Sequence, residues 1–332
     1  MSLNLKKVSG TLSGISPLIV GGAVFNTQYN DNPTALPIYR LLEKAFSLGI
    51  NAIDTSPYYG PSEELLGNTL RQMAEDGKVE RNNYYICTKV GRLHLDDFDY
   101  TPSWVEKSVT RSLQRFHTSY LDVVFLHDIE FKTADDIIGA LQMLMALKKR
   151  GLIRYVGISG YPVHFLYQIA KLSKETPDIG PLDLVMSYSN MCLQNTTLQL
   201  YYDKFLSDTG VKLVNNASIL SMSLLRNQET KSFHPASSEL KKRCHELGSM
   251  LQNKYNVDLA DLATRFAIRE WKDKHGKTVL GVSTVEELEI AWKQYQLVLD
   301  GSLDDKDREL IDISREFLGE HLNETWESGI KH

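Results

Sequence analysis

The sequence predicts an α/β protein built as a (β/α)8 TIM barrel, a single domain over residues 1–332. Three observations carry that expectation. Eight short β-rich runs alternate with eight helical patterns, the order that gives a parallel sheet closed by crossover helices. No Pro/Gly/Ser-rich linker divides the chain. Four of the β-rich runs also end on acid, amine, imidazole or hydroxyl side chains, and the strand ends of such a barrel converge on one mouth.

In chain order, the first pair is the run Leu18–Val24 and a helical pattern over Leu36–Ser47. Ile50–Asp54 follows, an apolar run stopped by an acid, then a Pro/Gly turn and the helix Glu63–Glu75. Tyr84–Val90 alternates with a period of two, so Cys87 and Lys89 share one face, directed into the barrel. Its helix, Ser103–Phe116, is opened by Thr101-Pro102. Leu121–His127 is too apolar for an edge, and its helix Asp135–Arg150 stops at Gly151 after three basic residues. Ile153–Ser159 pairs with Val163–Ser173, Leu182–Tyr188 with Thr196–Ser207, and Val211–Asn215 with Glu239–Asn253. The connection from Ala217 to Ser238 is long for a barrel, which predicts a functional loop after strand seven. Thr278–Val282 leads through Ser283-Thr284-Val285-Glu286, a capping-box pattern, into the helix Val285–Leu297. Asp304 to His332 add an extra C-terminal helix and tail; the tail around Trp326 either closes over the mouth or docks on the flank.

Composition narrows the function. Hydrophobic content of 42% and charged content of 24% are those of a globular protein with a sizeable core. A net charge of -5 gives no electrostatic case for nucleic acid or an anionic membrane, and no apolar run is long enough to span one. No protein partner is indicated. The lysines near the amino terminus precede no apolar segment of the secretory kind, and three scattered cysteines form neither a disulfide framework nor a zinc pattern. A reducing, cytoplasmic setting is expected, with no metal.

Chemistry concentrates at the strand ends. Asp54 has an ordinary structural reading as a strand-end acid, and Tyr59 in its Pro/Gly turn as packing. Lys89 resists such a reading: a lysine inside a barrel needs an anion, and Asp54 is available. His127 ends a central strand. Taken together, the four make a proton-handling set. A free phenol, with a pKa near 10, exchanges protons poorly near neutrality. A neighbouring ammonium is expected to lower that value, a carboxylate to hold the ammonium, and an imidazole to orient the reacting oxygen. That set suits a carbonyl/alcohol interconversion with hydride transfer. There is no G-x-S-x-G elbow, no G-x-G-x-x-G after a strand and no Walker A loop, so any dinucleotide must be held by the strand-end loops.

Asp54, Tyr59, Lys89 and His127, in the contexts IDTSPYYGPSEELLG, ICTKVG and FLH, resemble the catalytic tetrad of the aldo-keto reductases. The resemblance spans essentially the whole chain. It implies a barrel with an extended NAD(P) across its mouth, Tyr59 as general acid/base, Lys89 and Asp54 as its tuners, and His127 orienting the substrate. GISGYP at 157–162, YSNMCLQNTTL at 188–198 and NNASILSMSLLR at 215–226 are similar to the aldose 1-dehydrogenases of that family. This implies oxidation of a sugar such as D-arabinose, L-galactose or L-fucose at C1 to the aldonolactone, on the route to an ascorbate analogue of the erythroascorbate type.

The same resemblance implies cofactor contacts at Gly22 and Ala23, at Ser159, Gly160 and Asn190, and along Ala217, Ser218, Leu220 and Met222. The last junction adds Gly281, Ser283, Thr284 and Glu287. The family's usual Ser-Asn pair after strand five is Ser159-Gly160 here, so Asn190 is a candidate to supply the missing carboxamide contact. The aromatic that commonly stacks under the nicotinamide is replaced around Ala217-Ser218. At the last strand–helix junction, members preferring NADP carry Lys or Arg, whereas this chain has Glu286 and Glu287 and no base; NAD is expected. Trp292 either stacks on the adenine or packs in the core. Phe25, Tyr58 and Arg92, just beyond strand ends, are candidates to contact substrate. The alternatives are an NADPH-dependent aldehyde or ketone reductase, and a cofactor-bound regulatory subunit on the same scaffold.

Overall fold

The computed structural model describes residues 3 and 5–332. Its parallel strands close into a barrel in chain order: β1 (Leu18–Gly21), β2 (Ala52–Asp54), β3 (Tyr85–Val90), β4 (Leu121–Leu126), β5 (Ile153–Gly160), β6 (Leu184–Tyr188), β7 (Leu213–Ala217) and β8 (Thr278–Gly281). Closure is made by β1 pairing with β8 in the register Leu18↔Thr278 to Gly21↔Gly281. Period-two alternation sorts the side chains. Ile19, Tyr85, Cys87, Val123, Phe125, Leu184 and Met186 fill the barrel, and Leu12 and Ile15 from a turn before β1 plug its lower end. Ile86, Val90, Val124 and Leu126 point outward into the layer beneath the helices. Lys89 therefore continues the inward row of Tyr85 and Cys87 and reaches the upper rim.

The helices are α1 (Ile38–Ser47), α2 (Ser62–Glu75), α3 (Pro102–Arg115), α4 (Ala134–Lys149), α5 (Val163–Glu175), α6 (Thr197–Lys204), α7 (Ser238–Tyr255), α8 (Leu259–Trp271), α9 (Val285–Asp300) and α10 (Asp304–Leu318). Their ends follow from capping chemistry. Thr101 accepts the Trp104 N–H at the head of α3, and Thr133 and Asp136 form a capping box on α4.

Several expectations are corrected. Two helices, not one, lie between β7 and β8. The unexpected α8 is capped by Asp258, and its Trp271 donates to the Val214 carbonyl of β7 at 2.9 Å, so α8 takes the place on the barrel flank. Helix α7 packs outside it with α10. Buried Arg265 of α8 grips Asp307 of α10 and Gln294 of α9. Strand β1 stops at Gly21 and turns through a 3-10 segment, Gly22–Val24, while β7 begins two residues later than expected. At α9 the cap is Thr284, which accepts from Glu287 N–H; the Glu287 carboxylate in turn accepts from Ser283 N–H at 2.7 Å.

Candidate active site

Strand ends β2, β3 and β4 bring Asp54, Lys89 and His127 to one side of the mouth, and the turn after β2 carries Tyr59 over them. Lys89 Nζ lies 2.5 Å from Asp54 Oδ1 and 3.0 Å from the Thr55 carbonyl, with both charged groups almost wholly buried. It also sits 4.9 Å from the Tyr59 ring centre. Tyr59 Oη is 3.5 Å from His127 Nε2, and the two rings meet edge to face at 5.5 Å. All four expected residues thus share one cluster.

The electrostatics differ from the sequence expectation at one point. Burial disfavours the Lys89 charge, but Asp54 and Tyr59 outweigh it and raise its pKa, so the amine stays an ammonium. Tyr59 is pushed up to about 12, because burial outweighs the pull of Lys89. The ammonium therefore offsets part of a desolvation penalty and does not bring the phenol below its free value. Burial, then Lys89 and Arg92, hold the His127 pKa well below the usual imidazole value, so its ring is neutral.

Two further groups complete the cluster without having been anticipated. Ser56 Oγ lies 2.9 Å from His127 Nδ1, and Asp128 Oδ2 lies 3.6 Å from Nε2. Both were legible only as neighbours of the residues that drew attention. Tyr58 and Arg92 are beside them: Arg92 pairs with Asp128 at 2.5 Å and lies 4.1 Å above the Tyr58 ring. Arg92 is thus a half-buried wall of the site, engaged with Asp128 and the Tyr58 ring. Phe25 is fully buried in the outer core, with no accessible surface to offer a substrate.

An aldo/keto reductase family model matches residues 17–312. The chain belongs to the aldo/keto reductase family. A D-arabinose 1-dehydrogenase of Saccharomyces cerevisiae is 49% identical over 97% of this chain and 96% of its own length. An L-galactose dehydrogenase of Arabidopsis thaliana is 32% identical over 98% of this chain and 95% of its own. A solved glycerol dehydrogenase from Gluconobacter oxydans superposes with a TM-score of 0.66 at 18% identity, covering 100% of both chains, a likeness of fold.

Aldo-keto reductases use nicotinamide cofactors, and this aldo-keto reductase has polar groups at its mouth that suit one. Among the described residues, Ser189 Oγ and Asn216 Oδ1 are buried at or just beyond β6 and β7 without a hydrogen-bond partner. Ser218, Ser221, Met222 and Ser223 hold left-handed backbone, φ 47° to 77°, strain that gathers at ligand clamps. Buried His234 braces this loop, donating to the Ser221 carbonyl at 2.9 Å. Gly22, Ala23, Leu220, Gly281 and Thr284 lie on the same rim.

Other expected contacts are committed elsewhere. Ser159 donates to the Leu126 carbonyl, and the Asn190 amide donates to Tyr161 O, Ser187 Oγ and Tyr188 O. Asn190 therefore braces the loops after β5 and β6, which leaves its amide no free donor for a nicotinamide carboxamide. A Cβ at Gly160, where the family's usual pair has Asn, would meet the Glu130 carboxylate, so a side chain there needs that carboxylate to move. The last junction's own segment carries no base, but Arg226, from the loop after β7, reaches Glu287 at 3.6 Å, a cation the segment itself does not supply. Trp292 is half-buried against the core, 5.2 Å from Tyr295.

The tail crosses the mouth loops. Trp326 stacks on Tyr161 at 4.4 Å, Gln194 donates to the carbonyls of His321 and Glu324, and Ser328 donates to Glu130 at 3.0 Å. No helix among the described residues is long and apolar enough to cross a membrane.

Proposed function

We propose that this chain oxidises an aldose at C1 to the aldonolactone with NAD, taking D-arabinose and its relatives L-galactose and L-fucose, and so supplies erythroascorbate-type synthesis. The observation that carries the reading is the similarity to the Saccharomyces cerevisiae D-arabinose 1-dehydrogenase, 49% over nearly the whole of both chains. The cluster chemistry agrees with it. Tyr59, as phenolate, takes the anomeric hydroxyl proton while the C1–O bond becomes a carbonyl. Lys89, fixed by Asp54, stabilises that phenolate, and His127 donates a hydrogen bond to the same oxygen. A bound nicotinamide supplies the hydride acceptor. Glu286 and Glu287 disfavour a 2′-phosphate at the last junction.

One observation favours a second reading, an NADPH-dependent aldehyde reductase: the Arg226 guanidinium stands beside that same junction. Initial rates separate the two. Purified protein is assayed for reduction of NAD and of NADP with D-arabinose, L-galactose and L-fucose, and for NADPH oxidation with a simple aldehyde. Rapid sugar oxidation with NAD and little with NADP is expected. Turnover confined to NADPH and aldehydes overturns the sugar reading and leaves the cluster chemistry standing.

A further inference from the structure

Ser56 sits two residues beyond Asp54, in the turn that carries Tyr59, and has no exposed surface. Its Oγ accepts the Tyr58 N–H at 3.1 Å and lies 2.9 Å from His127 Nδ1. A hydroxyl has one proton to give. With the Tyr58 N–H already on the oxygen, that proton has a single acceptor among the described residues, the Nδ1 lone pair. A hydrogen on Nδ1 would leave the Ser56 proton buried with nothing to bond.

The other ring nitrogen faces oxygens. Nε2 is 3.5 Å from Tyr59 Oη and 3.6 Å from Asp128 Oδ2, and the Asp128 carboxylate, held by Arg92, can only accept. One side of the imidazole thus offers it a proton, while on the other the Asp128 carboxylate asks for one and the Tyr59 oxygen can accept it. The carbonyl of His127 accepts from Tyr100 Oη at 2.6 Å, and its N–H bonds the Val90 carbonyl at 2.9 Å, so the main chain that carries the ring is held in place.

We infer that Ser56 is a positioning residue that fixes His127 as the Nε2–H tautomer, making it a hydrogen-bond donor to the reacting oxygen and barring it from serving as the base. The Asp128 carboxylate, 3.6 Å away, favours the same tautomer electrostatically from the Nε2 side. The consequence for the reaction rests on the proposed function; the tautomer itself does not. In oxidation, the proton leaving the anomeric hydroxyl goes to Tyr59, and the hydrogen on Nε2 stays where it is, shared with the oxygen as the carbonyl forms.

The test uses the whole protein, labelled with 15N-histidine. Long-range 15N–1H correlation reads the tautomer of each ring, and a His127→Gln sample assigns the resonance. Wild-type His127 is expected to show a protonated Nε2 and a bare Nδ1 at neutral pH. In Ser56→Ala the pattern is expected to move toward a mixture of tautomers, with kcat for sugar oxidation falling about ten- to hundredfold, less than the roughly 10²–10³-fold cost of deleting an oxyanion donor outright, and dinucleotide affinity unchanged. Ser56→Thr, which keeps the hydroxyl, is expected to keep the wild-type tautomer. A wild-type ring protonated on Nδ1, or on both nitrogens, overturns the inference without need of any variant. So does a Ser56→Ala protein with wild-type tautomer and kcat. If wild-type protein oxidises none of the sugars, the proposed function fails, and the spectrum still decides the role of Ser56.

Discussion

Arg226 in the loop after β7 lies 3.6 Å from Glu287 in the first turn of α9, so folding brings a cation to a junction whose own segment has only acids. The pair is partly exposed and contributes at most about 1 kcal/mol to stability. Under the proposed function its weight is in recognition, because Glu287 pairs with the Arg226 guanidinium at the junction expected to take the ribose 2′-position. Glu287→Gln frees Arg226 and removes a repelling charge. The ratio of kcat/KM for NADP to that for NAD is expected to rise about tenfold, equivalent to about 1.4 kcal/mol. Steady-state rates with both dinucleotides check it, and an unchanged ratio places the pair away from the 2′-position.

Burial pushes the Tyr59 pKa up to about 12 against the pull of Lys89, and only its phenolate can accept a proton. Below that value the phenolate fraction grows tenfold per pH unit. Sugar oxidation should therefore accelerate with rising pH, and carbonyl reduction, which needs the phenol, should not. Lys89→Met removes the nearest stabilising cation and should move the alkaline limb further up. Tyr59→Phe should lower turnover by about 10²–10⁴-fold with dinucleotide binding retained. A Tyr59→Phe protein that turns over at the wild-type rate assigns the base elsewhere.

The barrel and the cluster were legible because each depends on a local pattern. Tyr84 to Val90 alternates, which fixed the inward direction of Lys89, and a buried amine demands an acid such as Asp54. What escaped depended on long-range contact. Helix α8 buries apolar residues on most of its circumference and pairs both its arginines, Arg265 and Arg269, with Asp307, so no single stripe announced it. Arg226 and Glu287 are far apart in the chain. Asn190 read as a cofactor ligand because its type fits, yet three local acceptors already occupy its amide. The rise in Tyr59 pKa came from burial, which residue identity does not report.

The missed helix supplies a stability test. Arg265 makes two-pronged bonds to Asp307 at 2.8–3.1 Å and one to Gln294 at 2.6 Å, all buried between α8, α9 and α10. Arg265→Met leaves the Asp307 carboxylate buried with Arg269 as its remaining charged partner. Loss of about 3–5 kcal/mol is expected, read as a lower urea midpoint. Replacing Arg265 and Asp307 together by apolar residues should cost less than the single change. Equal losses would mean that the shape of the side chains, and not the charge pair, secures α10.

Glu130 links the tail to pH. Its carboxyl is buried under the tail, accepting from Tyr161 N–H and Ser328 Oγ at 3.0 Å each, while its other oxygen has no partner among the described residues. Burial, reinforced by the Asp128 charge, raises its pKa from 4.5 to about 8. The folded state therefore keeps a proton that the unfolded chain releases above pH 4.5. The stabilisation is complete below that pH and is lost as pH rises through 8, with a slope up to about 1.4 kcal/mol per unit. Glu130→Gln has no proton to lose, so its stability should be flatter between pH 5 and 8. Its tail should also resist proteolysis at pH 8 better than that of the wild type. Urea midpoints for both proteins at four pH values across that window provide the check. Parallel curves would show that Glu130 does not govern how the tail is held.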